Sequence, residues 1–112
     1  MVNTRKLAAG GIVIATGGDT GVPGRFHGLS AHLERELLVQ GGLTPLQAIR
    51  AGTLNGARLL GVDKAHGSIE AGKIADFIVV DGDPAQDITH TRRIEAVWIN
   101  GSPVDREALA SP

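Results

Sequence analysis

Short apolar runs punctuated by glycine set the plan of this chain. Ile12-Val13-Ile14-Ala15 is apolar and β-branched without polar alternation, the pattern of a strand buried on both faces. Before it, Asn3 to Ala9 reads as a short helix or the end of one, closed by Gly10-Gly11. A polar glycine loop follows the run, Thr16-Gly17-Gly18-Asp19-Thr20-Gly21. From about His27 to Gln40 the pattern turns helical, with Leu29, Leu33 and Leu37 at i, i+4 and i+8, and Gly41-Gly42 stops it. Thr44-Pro45-Leu46-Gln47 opens another helix: Thr44 caps, Pro45 suits the first helical position, and Gln47 reaches back as in a capping box. A third helical piece runs from about Leu54 to Leu60 and ends at Gly61.

The second half is strand and turn. Gly67 to Lys73 reads as a turn region and Phe77-Ile78-Val79-Val80 as a strand. Asp81-Gly82-Asp83-Pro84 is a turn, Ile94 to Ile99 a second strand, and Asn100-Gly101 a hairpin signal. Pro103-Val104 then begins the return strand, and Asp105 to Pro112 reads as a loose tail. The pattern as a whole predicts an α/β chain. A lone parallel strand needs hydrogen-bonding neighbours on both sides, so the first half is expected to lack partners that a larger fold provides.

Composition narrows the function classes. With 11 basic and 12 acidic side chains, the surface has no strong pull on nucleic acid. Phe26, Phe77 and Trp98 are too few for a base-stacking platform. The chain has no cysteine, which excludes disulfides and thiolate metal sites. No apolar run approaches a membrane span, and Met1 to Ala9 lacks the apolar core of a signal peptide. A cytoplasmic protein acting without nucleic acid or membrane is expected. Glycine, at 16 of 112 residues, is about double average usage, but it lies between apolar segments and so marks turns and helix ends.

Asp19 is the leading candidate for chemistry. It follows a strand directly, and in α/β folds functional side chains collect at the carboxyl ends of strands. There an aspartate binds metal or acts as a base, or it simply shapes a glycine turn. The loop matches neither nucleotide-binding glycine fingerprint, and its acidic residue repels phosphate. His27 and His32 are five apart, so they do not form an i, i+4 metal pair on one helix face. His66 and His90 fall in turns and are expected to be solvated. Glu34 and Glu36 are expected on the polar flank of their helix, paired loosely with Arg35 or its neighbours. Asp81, Asp83 and Asp87 read as turn residues, with weak calcium binding by the acidic loop as the alternative.

Several runs together resemble the end of an amidohydrolase-superfamily barrel. They are Ala15-Thr16-Gly17-Gly18-Asp19-Thr20-Gly21, His27-Gly28, Glu36-Leu37-Leu38-Val39, Gly42 to Ala51, and Asn55-Gly56-Ala57-Arg58-Leu59-Leu60-Gly61. Gly67 to Pro84 is similar to the segment where such enzymes return to a small β-sandwich. The resemblance runs from about Gly11 to Val104 and is nearest to imidazolonepropionase-like and Xaa-Pro dipeptidase-like members. It implies that Ile12 to Ala15 is the last strand of a TIM-type barrel and that residues 1–66 end that barrel. Residues 67–104 become a β unit of short antiparallel strands, and 105–112 a tail. It implies that Asp19 is both metal ligand and catalytic proton acceptor, that His27 lies near substrate, and that Asp76 is architectural. The implied cofactor is a divalent metal, zinc foremost, and the implied substrate a small amide or dipeptide-like molecule.

Two departures qualify the resemblance. Gly18 stands where the family loop carries threonine, and Ala71 where it commonly carries proline. The family's other metal ligands, a His-x-His pair, a middle-strand lysine or glutamate and two further histidines, have no counterpart here. A full barrel takes about 250 residues. Three readings follow: a fragment of a C–N-bond hydrolase, inactive alone; a free-standing oligomeric structural or binding protein that self-associates through its exposed edges; or an assembly in which Asp19, His27 and His32 build a metal site between subunits.

Overall fold

The computed structural model describes residues 2–110. Four helices come first: α1 (Val2–Ala9), α2 (Leu29–Gln40), α3 (Pro45–Ala51) and α4 (Leu54–Leu59). An antiparallel sheet follows, with β1 (Phe77–Val80), β2 (Ile94–Ile99) and β3 (Ser102–Pro103) in the order β1-β2-β3. A 3-10 helix, Ile88–Arg92, sits between β1 and β2, and α5 (Arg106–Ala110) ends the described chain.

The helix boundaries come from local chemistry. Gly41 and Gly42 close α2 in a Schellman arrangement: Leu43 N–H donates to the Leu38 carbonyl, Gly42 N–H donates to that of Val39, and Gly42 takes φ 103°. Thr44 opens α3 with the expected capping box, its hydroxyl accepting from Gln47 N–H at 3.2 Å while Gln47 Oε1 accepts from Thr44 N–H at 2.8 Å. The small residues Ala48, Ala51 and Ala57 are buried, which lets α2, α3 and α4 approach closely, with Leu43 and Ile88 completing the buried apolar set.

In the sheet, Phe77 faces Trp98 across the strands, and their rings stack with centroids 5.6 Å apart. The β1–β2 register slips between Val79 and Val80, because Val79 pairs with Ala96 but Val80 pairs with Ile94. The extra residue, Glu95, makes a bulge and breaks the alternation of buried and exposed positions in β1. Asn100 and Gly101 both have positive φ, 51° and 75°, as a two-residue hairpin turn needs. Asp76 pins that turn by accepting from Asn100 N–H at 2.7 Å, the architectural role implied for it. The halves meet where α2 lies on the 3-10 helix: Arg92 donates through Nε and Nη2 to the two Glu36 oxygens, at 2.6 and 2.8 Å.

Several expectations are corrected. Ile12 to Ala15 forms no strand, and Ile12 and Val13 are 57% and 67% exposed instead of buried on both faces. Among the described residues no strand lies beside it to accept its ladder bonds. The helix expected from His27 starts at Leu29, the piece expected to reach Leu60 ends at Leu59, and the return strand covers Ser102–Pro103. The 105–112 tail contains α5, because Asp105 Oδ1 accepts from Ala108 N–H and caps it; Ser111 and Pro112 lie outside the described residues. Of the two acids on that helix, Glu34 interacts with Arg35 through its charge, whereas Glu36 pairs with Arg92; Arg35 Nη1 itself donates to the Ala31 carbonyl. His66 and His90 are not simply solvated: His66 Nδ1 pairs with Asp76 at 3.2 Å, and His90 Nδ1 accepts from Asp83 N–H. Asp83 and Asp87 cap their own turns, as turn residues do.

The leucine stripe of α2 also faces outward, with Leu29, Leu33 and Leu37 between 39% and 51% exposed. The chain exposes 7819 Å² in all. A folded chain of its 11.6 kDa mass is expected to expose about 5800 Å². The excess lies in apolar faces that no described residue covers.

Candidate functional site

The candidate site is the loop after the apolar segment. Four helices fix that segment, each by one bond. Ile12 N–H donates to the Leu7 carbonyl of α1 at 3.0 Å. The Ile14 carbonyl accepts from Asn55 Nδ2 of α4 at 2.8 Å. Thr16 N–H donates to the Ala51 carbonyl at the end of α3, at 3.1 Å. Gly17 N–H donates to Glu34 Oε1 of α2, at 2.9 Å. These bonds replace the ladder that a sheet would supply.

Asp19 follows this anchored stretch. It is exposed, and its carboxylate makes no hydrogen bond or ion pair with any described residue. An aspartate that only shaped its turn would accept from nearby backbone N–H groups, as Asp83 and Asp87 do. The chain then doubles back: Gly21 N–H donates to the Arg25 carbonyl and Arg25 N–H to the Val22 carbonyl. This turn returns His27 to the loop, with its Nε2 3.8 Å from where a Cβ on Gly21 would sit. His27 thus stands beside Gly21, and Asp19 and His27 are both exposed. Between the loop and α2 lies a cavity of about 160 Å³ bordered by Thr16, Gly17, Thr20, Ser30 and Glu34. A Cβ on Gly18 would meet only Glu34 Oε2, at 3.8 Å, so crowding does not explain glycine at that position.

His32 is held elsewhere. Thr91 uses its hydroxyl hydrogen on the Ile88 carbonyl, so the same oxygen accepts from His32 Nδ1–H at 3.0 Å. Burial lowers the His32 pKa, and the positive charges of Arg35 and Arg92 lower it further against the opposing Glu36. The unfolded chain then takes up a proton near pH 6.5 while the folded chain resists it. Stability is expected to be intact above that pH and to fall as pH drops from 6.5 toward the lowered folded value. Urea midpoints at pH 7.5 and 5.5 check this, and His32→Asn is expected to lose part of the difference.

A model of the amidohydrolase family matches residues 3–104. The chain belongs to the amidohydrolase family. Imidazolonepropionase of Pseudomonas savastanoi pv. phaseolicola is 35% identical over 92 residues, which is 81% of this chain and 21% of that protein. Imidazolonepropionase of an Acinetobacter baumannii strain is 42% identical over 59 residues, 53% of this chain and 13% of that protein. Among solved structures, a Xaa-Pro dipeptidase with bound methionine has TM-score 0.82 and 35% identity, covering 91% of this chain and 24% of its own. Phenylurea hydrolase B has TM-score 0.87 and 33% identity, covering 98% and 28%. The chain thus spans about a quarter or less of the proteins it resembles.

Amidohydrolases are generally metal-dependent. Here, among the described residues, no group of three or more His, Asp or Glu side chains converges as a metal site. Catalytic sites usually need three protein ligands, and the donors brought together among the described residues fall short of that number. A cleft of about 620 Å³ between α3 and β1 is lined by residues such as Leu46, Ile49, Phe77 and Ile78, and by neither Asp19 nor His27. Sequence reasoning missed Glu34 and Asn55 as supports of the loop. The spacing of Glu34 within α2 marks it only as polar, and nothing local tells that a side chain from α4 reaches Ile14.

Proposed function

We propose that this chain carries the closing part of a TIM-type barrel in a metal-dependent hydrolase of amide or peptide-like C–N bonds, and that it is inactive alone. Residues 1–66 would end the barrel, and 67–104 would belong to a small β-sandwich. Asp19 would serve as a metal ligand and as the proton acceptor for the attacking water, with His27 beside the substrate. The carrying observation is an exposed Asp19 carboxylate with no partner among the described residues, just after a segment anchored by four helices. The family match and the similarity to a dipeptidase and other hydrolases support the reading. Activity on a Xaa-Pro dipeptide with added zinc is expected to be no higher than that of Asp19→Ala. Turnover that disappears in Asp19→Ala would sink the claim that the chain is inactive alone.

The exposed apolar area favours a companion reading for the physical state. The faces that the rest of a barrel would cover are left open, and in the isolated chain a second copy would cover them. The role of such an oligomer would be structural or binding.

A further inference from the structure

We infer that Asn55 and Glu34 are positioning residues that set where the Asp19 loop stands. The inference rests on Asp19 being the functional group of the loop. Ile12 to Thr16 has no strand neighbour, so only side-chain and helix-end bonds fix its height and rotation. Asn55 is in the first turn of α4 and donates to the Ile14 carbonyl; this bond is partly buried and spans 41 residues. Two residues along, Thr16 N–H is tied to Ala51. One further along, Gly17 N–H is held by the carboxylate of Glu34, a charge-assisted bond. The anchors stop two residues before Asp19, which has none of its own. Its carboxylate therefore inherits its position from Asn55 and Glu34. Neither side chain needs to touch a substrate for this, and a displacement of about 1 Å at such a site costs as much as a hundredfold in rate.

Amide hydrogen exchange of the purified chain tests the inference without metal or substrate. In Glu34→Ala the Gly17 amide is expected to exchange at least tenfold faster, while Glu34→Gln, which keeps an oxygen acceptor, restores protection. Asn55→Ala is expected to speed Thr16 and Gly17 together. Asp81 and Val104 donate to backbone carbonyls in the β unit, and their unchanged exchange would show that global stability is not the cause. If Asn55→Ala fails to fold, the Glu34 pair still decides. Unchanged Gly17 exchange in Glu34→Ala, or equal loss in Glu34→Gln, overturns the inference. Neither outcome depends on whether Asp19 binds metal, so the two ideas fail separately.

Discussion

Gly67→Ala is expected to be the most damaging single methyl group in the chain. Gly67 has φ 94°, and an added Cβ would lie 2.7 Å from Ala57 Cβ and 2.9 Å from Leu54 Cα. Both atoms belong to α4, one of them backbone, so no flexible side-chain end can swing clear. The positive φ costs about 1 kcal/mol or more, and overpacking adds about 1–3 kcal/mol. Total stability of a small domain is only about 5–15 kcal/mol. The melting temperature should fall by at least about 10 °C. Gly72→Ala supplies the control. Gly72 has φ 88° but nothing within 4 Å of the added atom, so it carries the backbone penalty alone and should lose about 1 kcal/mol. Equal melting curves for the two variants would mean that the packing of α4 against the 67–73 turn is not as described.

The second large effect concerns assembly. Leu29, Leu33 and Leu37 form one stripe of α2 that stays between 39% and 51% exposed. The flank of that stripe beside Leu29 is committed, through His32 to Thr91 and through Glu36 to Arg92. A part-exposed leucine stripe drives association, at roughly 25 cal/mol for each Å² removed from water. The wild-type chain is expected to sediment as a species of at least twice 11.6 kDa. Replacing Leu33 and Leu37 together by lysine should return it to the single-chain mass with the same helical circular dichroism, because both positions are already part-exposed in the monomer. A wild-type chain that stays monomeric, or a double variant that still associates, would count against self-association through this face.

The sequence was most informative where local chemistry decides the outcome. The capping box at Thr44, the stop at Gly41-Gly42 and the Asn100-Gly101 turn each need only neighbours a few residues away, and each is found as expected. Asp105 to Pro112 was the local exception, since an aspartate cap outweighed the polar look of the segment. Long-range matters were less legible. The apolar run at Ile12 reads as a buried strand because its residue types suit one, yet burial depends on strands that must come from elsewhere. The α2 stripe misleads in the same way: periodicity tells that a face is apolar, not that something covers it. At the site, the place of Asp19 in a glycine loop was readable from order alone. The anchors at Asn55 and Glu34 were not, because their partners lie 41 and 17 residues away in sequence.

The central claim is that Asp19 brings one ligand to a site this chain does not complete. Elemental mass spectrometry of the purified chain, on a sample of known assembly mass, tests it most directly. The account predicts no stoichiometric metal, in wild type and in Asp19→Ala alike. About one zinc or similar ion per chain, lost in Asp19→Ala, would contradict it and mean that subunits complete the site together.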